Sequence, residues 1–217
     1  MPDLSPNLVG IIAFVALIGL IPLGVVTMTA FLKISVVLFL IRNALGIQQS
    51  PPNLVLHAIA LVLTVYVTAP LMADLYGRVS ARQLDLNSVQ GLTEAADTVR
   101  QPLRDHLSRF THEREREFFR TAAAKVWPEN AAAALRADDL IVLVPAFVSS
   151  ELTRAFQIGF LLYLPFLVID FIVANVLMAM GMMMVSPTLI SIPLKLLLFV
   201  SIDGWTKLMH GLILSYG

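Results

Sequence analysis

The sequence has no cysteine, and this excludes disulfides, thiolate metal sites and a cysteine nucleophile. Charge is scarce: only 14% of the 217 residues are Asp, Glu, Lys or Arg, and 15 basic side chains balance 15 acidic ones. A net charge of zero gives no electrostatic footprint for nucleic acid, which is set aside as a partner. The start, Met1 to Asn7, carries Asp3 and no Lys or Arg. It lacks the basic region of a cleavable signal peptide, so the first apolar run reads as a retained segment. No glycine-rich nucleotide loop, no metal-spaced His pair and no nucleophile constellation is present, so neither cofactor nor enzymatic activity is expected.

What is abundant is apolar surface. Hydrophobic residues make up 58% of the chain, and the mean hydropathy of +0.81 is far above that of a water-soluble domain. Leu4 to Leu32 contains no charged residue, enough for a helix to cross roughly 30 Å of hydrocarbon, with a bend expected near Pro22 and Gly24. Lys33 interrupts it, Ile34 to Ile41 resumes the apolar character, and Gly46 with Pro51 and Pro52 marks a turn. Leu54 to Ala73, with His57 as its only ionisable residue, pairs with the first run as a helical hairpin.

Residues 74–139 hold 21 of the 30 formal charges and read as a water-exposed helical insert. Val99, Leu103, Leu107, Phe110, Phe118, Ala122 and Val126 predict one long amphipathic helix, with Pro102 in its first turn. Glu113 with Arg116 and Glu117 with Arg120 are spaced to pair on its polar face. Phe110, Phe118 and Phe119 suit either a small core or a surface for neighbouring copies. Asp138 and Asp139 are placed to cap the next helix.

Beyond them, Leu140 to Ser150 and Ala155 to Ile169 are both short for a span and contain Pro145 and Pro165, while Phe171 to Leu194 contains Asn175, Gly181, Pro187 and Pro193. The expected fold is therefore all-α: polytopic, membrane-associated helical hairpins with broken, proline-kinked helices, assembling into a ring-like oligomer. Its parts are a hydrophobic hairpin (1–73), a polar extracytoplasmic domain (74–139) and C-terminal hydrophobic hairpins (140–217). The outward placing of 74–139 follows from Lys33 and Arg42, which assign the 33–53 connection to the cytoplasm.

Lys33, Glu151, Arg154, Asp170, Lys195 and Asp203 fall in apolar surroundings, where an unpaired charge costs roughly 2.5 to 3.5 kcal/mol on insertion scales. Each needs a partner. Glu151 and Arg154, three apart, suit one another; pairing between subunits is the alternative. Five of the nine methionines, Met178, Met180, Met182, Met183 and Met184, fall within seven residues. They suit either gap-filling beside Gly181 or a deformable seal contributed by several subunits.

Three blocks resemble a known family. They are Thr29-Ala30-Phe31-Leu32-Lys33-Ile34 through Arg42 to Asn53; Leu143-Val144-Pro145-Ala146-Phe147 with Ser150 to Phe160; and Ile169-Asp170 through Asn175 to Pro187 and on to Asp203-Gly204-Trp205. Together they closely resemble the SctR/FliP family of type III secretion export-gate proteins. Arg114 to Phe119 leading to Val126-Trp127-Pro128 resembles its virulence injectisome branch. The resemblance implies a pore-forming homo-oligomer, as a pentamer, in the bacterial inner membrane with the gate extending to the periplasmic side. It also implies S and T subunits as partners and unfolded secreted proteins as substrates. By the same resemblance Met182, Met183 and Met184 form a pore gasket, Glu151 enters intersubunit salt bridges and Phe110 makes assembly contacts. The alternative is a small-solute or ion transporter using Glu151, Arg154 and Asp170; an intramembrane enzyme using Glu151, Asp170 or His57 has less in its favour.

Overall fold

A computed structural model describes residues 15, 19–20, 22–47, 49–81, 89–182 and 184–217. The first part of the opening apolar run and Met183 lie outside the described residues. The fold is all-α, with no strand among the described residues. Its helices are α1 (Pro22–Met28), α2 (Phe31–Ala44), α3 (Asn53–Ala81), α4 (Val89–Phe110), α5 (Glu113–Val126), α6 (Glu129–Ala133), α7 (Leu140–Ala179), α8 (Pro187–Ser201) and α9 (Gly204–Leu214).

Among the described residues the first apolar run bends after Gly24 rather than at it. Gly24 lies within α1, and α1 and α2 meet at 77°. Local polar chemistry accounts for the break. The Thr29 hydroxyl donates to the Val25 carbonyl and accepts from the Phe31 amide, giving the backbone a partner outside the helical ladder. After α2, Gly46 adopts a φ of +79°, the left-handed stop that glycine takes without strain. Arg42 fixes the return by donating to the Pro51 carbonyl at 3.3 Å and to Asn53 Oδ1 at 2.6 Å. The expected α2–α3 hairpin follows.

Between 140 and 179 the chain does not break at all. Pro145 and Pro165 both lie inside α7, whose 40 residues measure about 60 Å at about 1.5 Å per residue. Glu151 and Arg154 do not end it because their charges are met sideways, by other elements. The polar insert departs from expectation in the opposite sense: its amphipathic stretch is two helices. The His112 amide leaves the ladder to donate to Ser150 Oγ of α7 at 3.0 Å, and Thr111 Oγ1 closes on the Leu107 carbonyl at 2.6 Å. Pro102 lies inside α4, which begins at Val89, and not in a first turn. Glu117 and Arg120 pair at 2.6 Å; Glu115 accepts from Ser149 at 2.7 Å, and no Glu113–Arg116 bond forms among the described residues. Asp139 occupies the N-cap of α7 without a side-chain cap bond, since its carboxylate accepts from the Arg136 amide instead.

α2 lies at the centre. Ile34, Val37, Leu38, Ile41, Ala44 and Leu45 are buried with Leu56 and Ala60 of α3, Ala155 of α7 and Leu212 of α9. Lys33 meets Glu151 and Leu40 meets Gly159, so α2 and α7 run parallel. α8 then folds back along α7, while α9, bent 62° from α8, carries the chain towards the start of α2. The first half of α7 takes α4, through Leu107 against Leu143 and Phe147. Among the described residues two helices, α3 and α7, are long and apolar enough to cross a membrane; the bent pairs α1–α2 and α8–α9 raise the number to four if each is one span. Many large apolar side chains face outward, among them Leu61, Val65, Phe160, Leu161, Phe171, Leu197 and Val200. In water such a surface would demand cover; in lipid or against protein it is expected.

Gly159 sets the approach of α7 to α2, since a Cβ there would overlap Leu40. Gly159→Ala is expected to lower the thermal unfolding midpoint of the detergent-solubilised chain, at a cost of about 1 to 3 kcal/mol. Gly211→Ala, where a Cβ meets open space, is expected to hold or raise it. On α4, the His106 ring packs 5.2 Å from Phe110. Burial, with Arg109 beside it, holds its pKa below the ordinary value despite an opposing pull from Glu151. The unfolded chain therefore binds the proton more readily. The stability His106 contributes is present above its ordinary pKa of about 6.5 and is lost as pH falls through the lower folded value. The midpoint is expected to drop between about pH 7 and pH 5, and to drop less in His106→Gln.

Candidate functional site

Two features stand out: a buried ion cluster around α2 and an exposed methionine tip between α7 and α8. In the cluster, the Glu151 side chain has no exposed surface and receives two cations. Lys33 Nζ of α2 stands 3.4 Å from Oε2. Arg154, one turn on along α7, donates to Oε1 at 3.0 Å and to the Phe110 carbonyl at the end of α4 at 2.7 Å. The Tyr216 hydroxyl, beyond α9, donates to Glu151 Oε2, and its ring lies 3.5 Å beneath Lys33 Nζ and 5.2 Å from the Phe110 ring. A buried carboxylate is tolerated when charge and hydrogen bonds both compensate its lost hydration. Here α2, α4, α7 and the residues after α9 supply that compensation together.

A second pair joins α7 to α8. Lys195 Nζ bonds Asp170 Oδ2 at 2.6 Å and donates to the Ala44 carbonyl at 3.1 Å, an acceptor that the end of α2 leaves without a helical partner. Ile192, one turn before Lys195, lies against Gly46, where an added Cβ would stand 2.9 Å from its Cγ1. Asp203 stands apart: it is exposed, has a φ of 54° and forms no ion pair among the described residues.

Lys33, Glu151, Arg154, Asp170 and Lys195 thus pair within one chain. Arg42 and Lys33, whose charges suggested a cytoplasmic loop, are turned into the protein. Glu151 and Asp170 are not brought together: 19 residues of continuous α7 separate them by about 28 Å, so they do not form one relay. His57 meets neither carboxylate; its Nδ1 lies 2.8 Å from the Asn53 carbonyl and its ring rests against Phe31 and Phe39. Of the three aromatics of the insert, Phe118 and Phe119 meet edge to face with ring centroids 5.2 Å apart, while Phe110 lies elsewhere. Phe110 packs into both apolar clusters, Phe119 is half-buried, and Phe118 is 58% exposed. Tyr216 and the Ala44 carbonyl were missed by the sequence reading, since neither carries a charge nor a recognisable spacing.

The methionine tip is a helix stop followed by a turn. Gly181 takes a φ of +74°, its amide bonds the Met178 carbonyl at 3.0 Å, and the Met182 amide bonds the Leu177 carbonyl at 3.0 Å. This pattern of bonds ends a helix with no side-chain contribution. Met178, Met180, Met182 and Met184 are 58%, 63%, 43% and 102% exposed, so they fill no gap within the chain.

The FliP family profile matches residues 14–212. The whole chain is 56% identical to the probable translocation protein y4yL of Sinorhizobium fredii, covering 97% of that protein. It is 46% identical to Yop proteins translocation protein R of Yersinia pestis over 98% of each chain. With the virulence protein YscR of Salmonella typhimurium it shares 41% identity over its whole length and 99% of the relative. Matched almost from end to end by both profile and relatives, the chain belongs to the FliP family, the one its three sequence blocks resemble.

Proposed function

We propose that this chain is a core pore-forming subunit of the type III protein secretion export gate in the bacterial inner membrane, passing unfolded substrate proteins. The observation that carries the reading is the methionine tip. Four thioether side chains are held outward by a main-chain turn where single-chain packing would have drawn them in. Flexible, polarizable side chains without hydrogen-bonding groups suit a seal that must close on itself and yield to varied polypeptides. Met182, Met183 and Met184 are the gasket in this reading, contributed by each copy of a homo-oligomer, as a pentamer, with S and T subunits completing the channel. The polar domain 74–139 lies on the extracytoplasmic side and the gate extends towards the periplasm, where a helix as long as α7 has room outside the hydrocarbon. Phe118, exposed on α5, and the outward apolar faces of α7 and α8 are the surfaces available to neighbouring copies. The ion cluster keeps each subunit in the shape that presents the tip.

Replacing Met182, Met183 and Met184 together by alanine is expected to leave assembly intact and raise the ion conductance of the closed gate in planar bilayers. Unchanged conductance in an intact assembly would remove the gasket role. Glu151→Ala leaves Lys33 buried without its counter-charge, at an expected cost of about 3 to 5 kcal/mol. It should yield little stable chain on purification, and a Lys33→Met, Glu151→Leu double substitution is expected to restore part of the yield. Native mass of the chain co-expressed with S and T partners tests the assembly itself; a multi-copy complex that captures both is expected, and a monomer that ignores them would overturn it.

A further inference from the structure

The tip has a chemical property beyond its softness. A thioether sulfur carries an exposed lone pair, and access governs how fast methionine is oxidised. Met182 and Met184 are open to solvent, with Met184 fully so, whereas Met209 packs against the buried cluster around α2. Among the described residues, the bonds that shape the tip are main-chain ones, from the Met180, Gly181 and Met182 amides to the carbonyls of Val176, Met178 and Leu177. Apart from its chain neighbours, nothing among the described residues lies within 4 Å of where a Gly181 side chain would begin. Chemistry at the sulfurs therefore changes the surface of the tip and leaves its backbone standing.

We propose that Met182 and Met184 form an oxidation site through which peroxide-class oxidants open the closed gate, an inference that rests on the reading of the tip as a seal. The sulfur lone pair attacks one oxygen of hydrogen peroxide and the O–O bond breaks. An S–O bond forms, and the displaced hydroxide takes the remaining proton to leave as water. Sulfur is oxidised by two electrons, the peroxide is reduced by two, and no other reactant is needed. The sulfoxide is polar and accepts hydrogen bonds. Several of them converging on a water-excluding constriction bring water into it, and the apolar seal is lost. The change is reversible, because methionine sulfoxide is a substrate for sulfoxide reductases. Peroxide is small enough to reach the constriction along the passage itself.

The test uses the assembled gate in planar bilayers, with hydrogen peroxide as the probe and peptide mass spectrometry on the same sample. The expected result is that the tip methionines gain oxygen well before Met209, that conductance rises in step with them, and that the two methionine sulfoxide reductases, one for each sulfoxide epimer, together reverse both. Replacing Met182, Met183 and Met184 together by leucine removes the oxidisable sulfurs; whatever its starting conductance, this variant is expected to show no rise on adding peroxide. Tip methionines that react no faster than Met209 would overturn the proposal, as would a leucine variant that responds like the parent. If the alanine variant leaks while the oxidised parent stays closed, the oxidation proposal fails and the seal stands; if the alanine variant does not leak, the seal reading itself fails.

Discussion

A carboxylate with no access to water decides how this chain is put together. Glu151 is acceptable at its depth only while Lys33, Arg154 and the Tyr216 hydroxyl all reach it, and those groups come from α2, α7 and the residues after α9. Arg154 extends the same network to the end of α4 by holding the Phe110 carbonyl. The apolar contacts are numerous but unselective, since one leucine face packs against another in many registers. The ion cluster has one arrangement that satisfies it. It therefore supplies specificity more than net stability, which buried ion pairs do not reliably provide.

A second fixed point stands at the other end of α2. Lys195 answers both a carboxylate, Asp170, and a main-chain acceptor, the Ala44 carbonyl, and Gly46 beside it leaves room for Ile192. With Glu151 near its start and Lys195 at its end, α2 is clamped along its length between α7 and α8. Both clamps depend on residues whose charge looked anomalous in an apolar sequence.

That anomaly was legible; its resolution was not. Spacing along one helix is visible in a sequence, so the Glu151–Arg154 pair could be read, as could the turn at Gly46 that makes the α2–α3 hairpin. Lys33 and Glu151 are far apart in the chain, and no local pattern relates them. Tyr216 carries no formal charge and signals nothing by position. The prolines of α7 misled for a related reason: Pro145 and Pro165 weaken a helix locally, but neighbours packed along that helix hold it continuous. The break between α4 and α5 has the reverse origin, since Ser150 draws the His112 amide away from a stretch whose apolar spacing favours continuity. The methionine run was conspicuous from composition, but the outward exposure of Met178, Met180, Met182 and Met184 was not.

The spread of the Glu151 network along the sequence also constrains biogenesis. Lys33 is synthesised and committed to an apolar setting long before its counter-ion exists. At about 5 to 20 residues per second, the wait for Glu151 is on the order of ten seconds, and Tyr216 comes later still. Through that interval α2 carries an unmatched ammonium, so it cannot settle alone in hydrocarbon without cost. In this chain the order of synthesis and the order of stable burial are opposed, since Tyr216, made long after Lys33, completes the setting in which Lys33 is buried.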